Sequence, residues 1–127
     1  MIAVGSDHAG YELKKELIRH LESRGYDIRD YGTDSTKSCD YPDYAKKVAK
    51  AVADGTAQSG LLVCGTGIGM SIAANKVPGI RAAVLSDEFS AQATREHNDA
   101  NILCLGARVL DTPKAVKLLA ENHIQFA

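Results

Sequence analysis

The sequence has no tryptophan, only two phenylalanines and five tyrosines, so the core it can build is aliphatic, made of Val, Ile, Leu and Ala. It has no surplus of either charge: fifteen Lys and Arg stand against sixteen Asp and Glu, scattered rather than blocked, for a net charge of -1. Holding a phosphate backbone or an anionic membrane surface needs such a surplus, so nucleic acid and membrane partners are not expected. The three cysteines, Cys39, Cys64 and Cys104, are an odd number without Cys-x-x-Cys or Cys/His spacing. Neither a disulfide framework nor a zinc site is suggested, no metal or other cofactor is expected, and a reducing, cytoplasmic setting fits. Met1 to Gly5 runs directly into a strand-like pattern with no basic leader, so no secretory signal is expected. The one tempting window for a membrane span, Gly55 to Asn75, lacks charge but holds five glycines with Gln58, Ser59, Thr66 and Ser71. It reads as strand, loop and buried helix.

What is present is a 127-residue chain, 45% apolar, enough to bury a core in a single domain spanning 1–127. Short apolar runs alternate with stretches of helical period from end to end, the mark of βαβ units and a parallel sheet. Ile2 to Gly5 reads as a strand, and Leu13, Leu17, Ile18 and Leu21 form one helical face that stops at Gly25. Tyr26 to Tyr31 reads as the second strand, Gly32 to Asp43 as a polar loop, and Tyr44, Ala45, Val48, Ala49 and Val52 as the buried face of the second helix. Gly60 to Cys64 is an uninterrupted apolar run, as expected of a central strand covered on both faces. Pro78-Gly79 ends the helix after it, Ile80 to Leu85 is the fourth strand, and Ser86-Asp87 caps a helix to about Glu96. Asn101 to Leu105 makes the fifth strand, and Asp111-Thr112-Pro113 opens the last helix. The fold class is therefore α/β, a Rossmann-like three-layer sandwich around five parallel strands.

In such sheets ligands bind beyond the carboxyl ends of the strands. Ser6-Asp7-His8, Cys64-Gly65-Thr66-Gly67-Ile68-Gly69, Ser86-Asp87 and Gly106-Ala107-Arg108 follow four of them and are expected to share one rim. Gly65, Gly67 and Gly69 alternate with Thr66 and Ile68, which lets backbone N–H groups face an anion at a helix N-terminus. The loop is neither a dinucleotide fingerprint nor a Walker A sequence; the competing account is a turn needed only for tight packing. Cys64 ends a buried strand and opens that helix, where the dipole favours a thiolate able to act as base or nucleophile. Its competing account is a small buried hydrophobe, the reading given to Cys104, with Cys39 in a loop. His20 and His123 read as surface residues. His8 beside Asp7, and His97 in the polar turn Glu96 to Asn101, can exchange protons with a ligand or serve as turn residues. Arg108 is a fork for phosphate or a solvated arginine, and Tyr41 beside Pro42 covers the site or anchors its loop.

Taken in order, Gly5-Ser6-Asp7-His8-Ala9-Gly10, Asp40-Tyr41-Pro42, Cys64-Gly65-Thr66-Gly67-Ile68-Gly69, Asn75-Lys76, Gly79-Ile80-Arg81-Ala82, His97-Asn98-Asp99 and Gly106-Ala107-Arg108 resemble the type B ribose-5-phosphate isomerases. These belong to a sugar-phosphate isomerase family that includes the galactose-6-phosphate isomerase subunits. The resemblance implies metal-free interconversion of ribose 5-phosphate and ribulose 5-phosphate through a cis-enediol. It implies Cys64 as the base, Thr66 and the loop amides of Gly65, Gly67 and Gly69 on the enediolate oxygens, and His97 assisting ring opening. Asp7, Tyr41 and Asn98 would hold sugar hydroxyls, with His8 and Arg108 toward the ring or phosphate end. A homodimer or homotetramer with sites at the subunit boundary is implied as well. Relatives continue into a glycine- and arginine-bearing segment with further phosphate contacts, whereas this sequence stops at Phe126-Ala127, so a weaker phosphate grip is expected. Isomerisation of allose or galactose 6-phosphate, a catalytically silent sugar-phosphate binding module and a Cys/His hydrolase or transferase are the alternatives.

Overall fold

The computed structural model describes residues 1–35, 37 and 40–121; the reading of Cys39 and His123 lies outside them. The elements run β1 (Ile2–Ser6), α1 (Tyr11–Ser23), β2 (Ile28–Asp30), α2 (Tyr41–Ala53), β3 (Ser59–Cys64), α3 (Ile68–Asn75), β4 (Ala82–Val84), α4 (Glu88–Ala93), β5 (Ile102–Gly106) and α5 (Thr112–Glu121), with a π-helical turn at Thr94–Asn98. The strands form one all-parallel sheet in the order β2-β1-β3-β5-β4. Connections between parallel strands are right-handed, so those stepping one way across the sheet, α1 and α4, fall on one face. Those stepping the other way, α2 and α3, fall on the opposite face, and α5 packs beside α1 and α4.

The central strand shows how the two cores are divided. Leu61 and Val63 of β3 pack with Leu17, Leu21, Leu118 and Leu119 on one side, while Leu62 and Cys64 pack with Val48, Ala49, Met70 and Ala73 on the other. Every residue of β3 is buried, as the unbroken apolar run requires when helices cover both faces.

The expected elements are all present, and their boundaries differ where single-chain pattern is weakest. β2 and β4 are three residues each, shorter than read, because an edge strand has one neighbour to pair with. The helix α2 starts at Tyr41, inside the stretch read as loop, because Pro42 sits in its first turn, where its fixed φ suits the helix and its missing N–H is not needed. The helix capped by Asp87 stops at Ala93 and widens into the π-helical turn. At the sheet edge, Ala82 turns both of its backbone groups to Asn75, whose side chain donates to the carbonyl at 2.9 Å and accepts from the amide at 2.8 Å. His20 is half-buried near the end of α1 rather than fully on the surface.

Candidate active site

Strand β3 lies between β1 and β5, and its following helix α3 leaves toward the face opposite to α1 and α5. The chain therefore parts on both sides of β3 at its carboxyl end, which is where an open α/β sheet forms its crevice. Backbone bonds stitch the three strand ends together there: Asp7 N–H donates to Val63 at 3.2 Å, Ala107 N–H to Cys64 at 2.8 Å, and Arg108 N–H to Gly65 at 2.9 Å.

Cys64 is the last residue of β3 and is 5% exposed. The N–H of Gly67 donates to its Sγ at 3.1 Å, which holds the sulfur at the mouth of the glycine loop. Gly67 takes φ +85 as the residue capping α3, a left-handed conformation that glycine adopts without steric penalty. Gly106 is required for a different reason: a Cβ there would stand 2.7 Å from the carbonyl of Thr66, so the loop packs directly on the end of β5.

Two of the loop amides expected to face a ligand are committed inside the protein, that of Gly67 to Cys64 and that of Ile68 to Thr66 Oγ1 at 3.2 Å. The amides of Gly65 and Thr66 donate to no acceptor among the described residues. Because Thr66 Oγ1 accepts from Ile68, its own hydroxyl proton is left to donate outward. The amide of Gly69, in the first turn of α3, likewise donates to no acceptor among the described residues, so the loop offers three amides and one hydroxyl next to a sulfur.

Around it stand the other residues from neighbouring elements. Asp7 is buried, with Oδ1 accepting the Gly10 amide at 2.9 Å at the head of α1; His8 follows it, half-buried. The Tyr41 ring lies over Gly69, where a Cβ would come within 3.1 Å of it. The Arg108 guanidinium lies over Gly65, its Nη1 3.3 Å from where a Cβ would be. Asp7, His8, Tyr41, Cys64, Gly65, Thr66, Gly67, Gly69 and Arg108 are therefore gathered at one end of the sheet.

Not every predicted residue joins them. Asp87 follows the edge strand β4 and its carboxylate caps α4, accepting from Ser90 N at 2.7 Å and Ser90 Oγ at 2.9 Å; these bonds hold its pKa below the ordinary 3.8. His97 and Asn98 lie in the π-helical turn that precedes β5, at the amino end of the sheet, so within one chain they face away from Cys64. Their turn is fixed: Asp99 at φ 50 receives Arg95 at 2.6 Å and Arg81 at 3.4 Å, while the His97 side chain is 73% exposed. Cys104 is fully buried in β5, and burial, reinforced by the neighbouring Cys64, pushes its thiol far above the usual range, which suits the packing role read for it. In the sequence Gly106 stands out only as part of a motif and Tyr44 only as a member of a helix face, while Lys14 does not stand out at all. Among the described residues no group of His, Cys, Asp and Glu is placed to hold a metal ion, and no helix is long and apolar enough to cross a membrane.

Comparison with known proteins identifies the family. The family model described as Ribose/Galactose Isomerase matches residues 2–123. Ribose-5-phosphate isomerase B of Escherichia coli is 54% identical over 109 residues, covering 86% of this chain and 73% of that protein. D-erythrulose-4-phosphate isomerase of Pectobacterium atrosepticum is 45% identical over 119 residues, covering 93% of this chain and 78% of that protein. The structure of Clostridium thermocellum ribose-5-phosphate isomerase B superposes with a TM-score of 0.95 at 51% identity, over 97% of this chain and 83% of that one. Ribose-5-phosphate isomerase B of Mycoplasma genitalium with bound ribulose-5-phosphate gives 0.93 at 37% identity, over 97% and 82%. From its first strand to its last helix, this chain belongs to the ribose/galactose isomerase family.

Proposed function

We propose that the chain interconverts ribose 5-phosphate and ribulose 5-phosphate, with Cys64 moving the proton between C1 and C2 through a cis-enediol. The observation that carries this reading is the Cys64 sulfur held at 3.1 Å from the Gly67 amide, beside amides of Gly65 and Thr66 that donate to nothing in the described protein. A proton next to a carbonyl is removable only where fixed donors stabilise the oxyanion that develops. The sulfur takes the C2 proton of the opened aldose and returns it to C1, while O1 gains a proton as the enediol forms and O2 gives one up as the ketose carbonyl forms. Meanwhile the Gly65 and Thr66 amides and the Thr66 hydroxyl face the two enediolate oxygens. Asp7, with one carboxylate oxygen committed to Gly10, and Tyr41 hold sugar hydroxyls, and His8 and Arg108 lie toward the phosphate.

We also infer a homodimeric or homotetrameric assembly in which His97 and Asn98 of a second copy complete each site and His97 assists ring opening. Support comes from the exposed His97 turn at the opposite end of its own sheet from Cys64, and from Ile68 and Ile72. These occupy successive turns of α3 beside the glycine loop and are 53% and 55% exposed. A cytoplasmic setting suits the free thiols Cys64 and Cys104.

Incubation with ribose 5-phosphate in deuterated buffer tests the reaction. Ketose formation with deuterium entering the carbon-bound position is expected; a chain that binds the sugar without turnover would leave only the binding-module reading. The relatives' names favour the pentose, so kcat/KM is expected to be higher for ribose 5-phosphate than for allose or galactose 6-phosphate. A preference for galactose 6-phosphate would move the substrate and leave the mechanism in place.

A further inference from the structure

Lys14 is wholly buried, with 0% of its surface exposed, although it lies on α1 between Leu13 and Leu17 where an apolar side chain would fill the space. Its Nζ donates to Asp30 Oδ1 at 2.9 Å and to the carbonyl oxygen of Thr33, and it stands 5.3 Å from the centre of the Tyr11 ring. Removing a charge from water is costly unless its partners are well placed, and here the partners are the end of β2 and the segment just after it. Asp30 Oδ1 also accepts the Gly32 amide at 2.9 Å.

The segment held in this way touches the site along two routes. Ser6 N–H donates to Gly32 at 2.6 Å and Thr33 N–H donates back to Ser6 at 2.8 Å, which clamps the residue immediately before Asp7. On its other side Gly32 receives the Tyr44 ring, so closely that a Cβ there would be 2.6 Å from Cε1. Tyr44 lies in the first turn of α2, three residues from Tyr41, and the Tyr41 ring covers Gly69 of the catalytic loop.

We propose that Lys14 is a positioning residue for the sugar subsite, and that it sets Asp7 through Ser6 and Tyr41 through Gly32 and Tyr44. The proposal rests on the isomerase reading given above. It is tested with Lys14→Met, which keeps the length of the side chain and removes its charge, with Tyr41→Phe, and with the double variant. All are assayed on ribose 5-phosphate at a temperature where circular dichroism shows them folded. Lys14→Met is expected to raise KM about tenfold with kcat changed less than about twofold. In its background Tyr41→Phe is expected to have little further effect, because the hydroxyl it removes has already left its place. Fully additive effects on kcat/KM, or a lower melting temperature with unchanged KM, would overturn the role while the reaction stands. If Lys14→Met does not fold, Asp30→Ala loosens the same clamp from its exposed end and is read in the same cycle. Absence of turnover in the unsubstituted chain would overturn the reaction and the positioning role with it.

Discussion

The chemistry of the site turns on single atoms. Cys64→Ala deletes the sulfur and leaves a small side chain at a buried strand end, so the fold should persist while kcat falls by about two to four orders of magnitude, as loss of a general base predicts. Circular dichroism together with ketose formation checks both halves of that expectation. Cys64 was legible as a candidate because a thiol stood between an unbroken apolar run and a glycine loop, which places it at a strand end whatever the details of the fold. Which loop amides remain open was not legible, since it depends on Gly67 turning inward to the sulfur and Thr66 Oγ1 receiving Ile68. Lys14 gave no signal at all: a lysine beside Leu13 reads as solvated, and its partner Asp30 is sixteen residues away.

At the scale of elements, the glycine loop packs so closely on β5 that a Cβ on Gly106 would stand 2.7 Å from the Thr66 carbonyl. Gly106→Ala sets a methyl group against the backbone of Thr66, so one of the two must move. A stability loss of about 1–3 kcal/mol is expected, measured by urea unfolding, with turnover lost beyond what the folded fraction explains. At the far edge, the Asp87 cap of α4 supplies a pH test with a definite sign. The bonds from Ser90 hold this carboxyl below 3.8, so its stabilising effect is present above that pH and is lost as pH falls through the lower folded-state value. The gap in urea midpoint between the unsubstituted protein and Asp87→Ala should therefore be open at pH 7 and narrow below pH 3.8. Helices and central strands could be read from period because burial imposes it. The ends of α2 and α4 escaped, since one depends on a proline tolerated in a first turn and the other on a widening of the helix that no spacing announces.

On the scale of the whole molecule, the separation of His97 from Cys64 becomes a prediction about mixing. In a two-fold assembly each site would take Cys64 from one copy and His97 from the other. Cys64→Ala and His97→Ala chains, each inactive or nearly so alone, should regain about a quarter of full activity when unfolded together and refolded in equal amounts. Light scattering on the unsubstituted chain should show at least a dimer; a fully active monomer would end the shared-site reading. Nothing in the order of residues separates a site within one chain from one shared by two, because both place His97 in the same turn.

An open sheet has two borders, and a border is where one protein can be extended by another of its kind. Here the amide of Asn75 poses as the next strand over, meeting the outward carbonyl and amide of Ala82, so a neighbouring chain that approached β4 would find the first hydrogen-bonding position already taken. Asn75→Ala would uncover it beside the exposed Val84, and the altered protein should scatter more light on concentration or mild heating than the original while its glycine loop is untouched. A residue that does nothing to the substrate would then be what allows the enzyme to exist at high concentration as separate, countable assemblies.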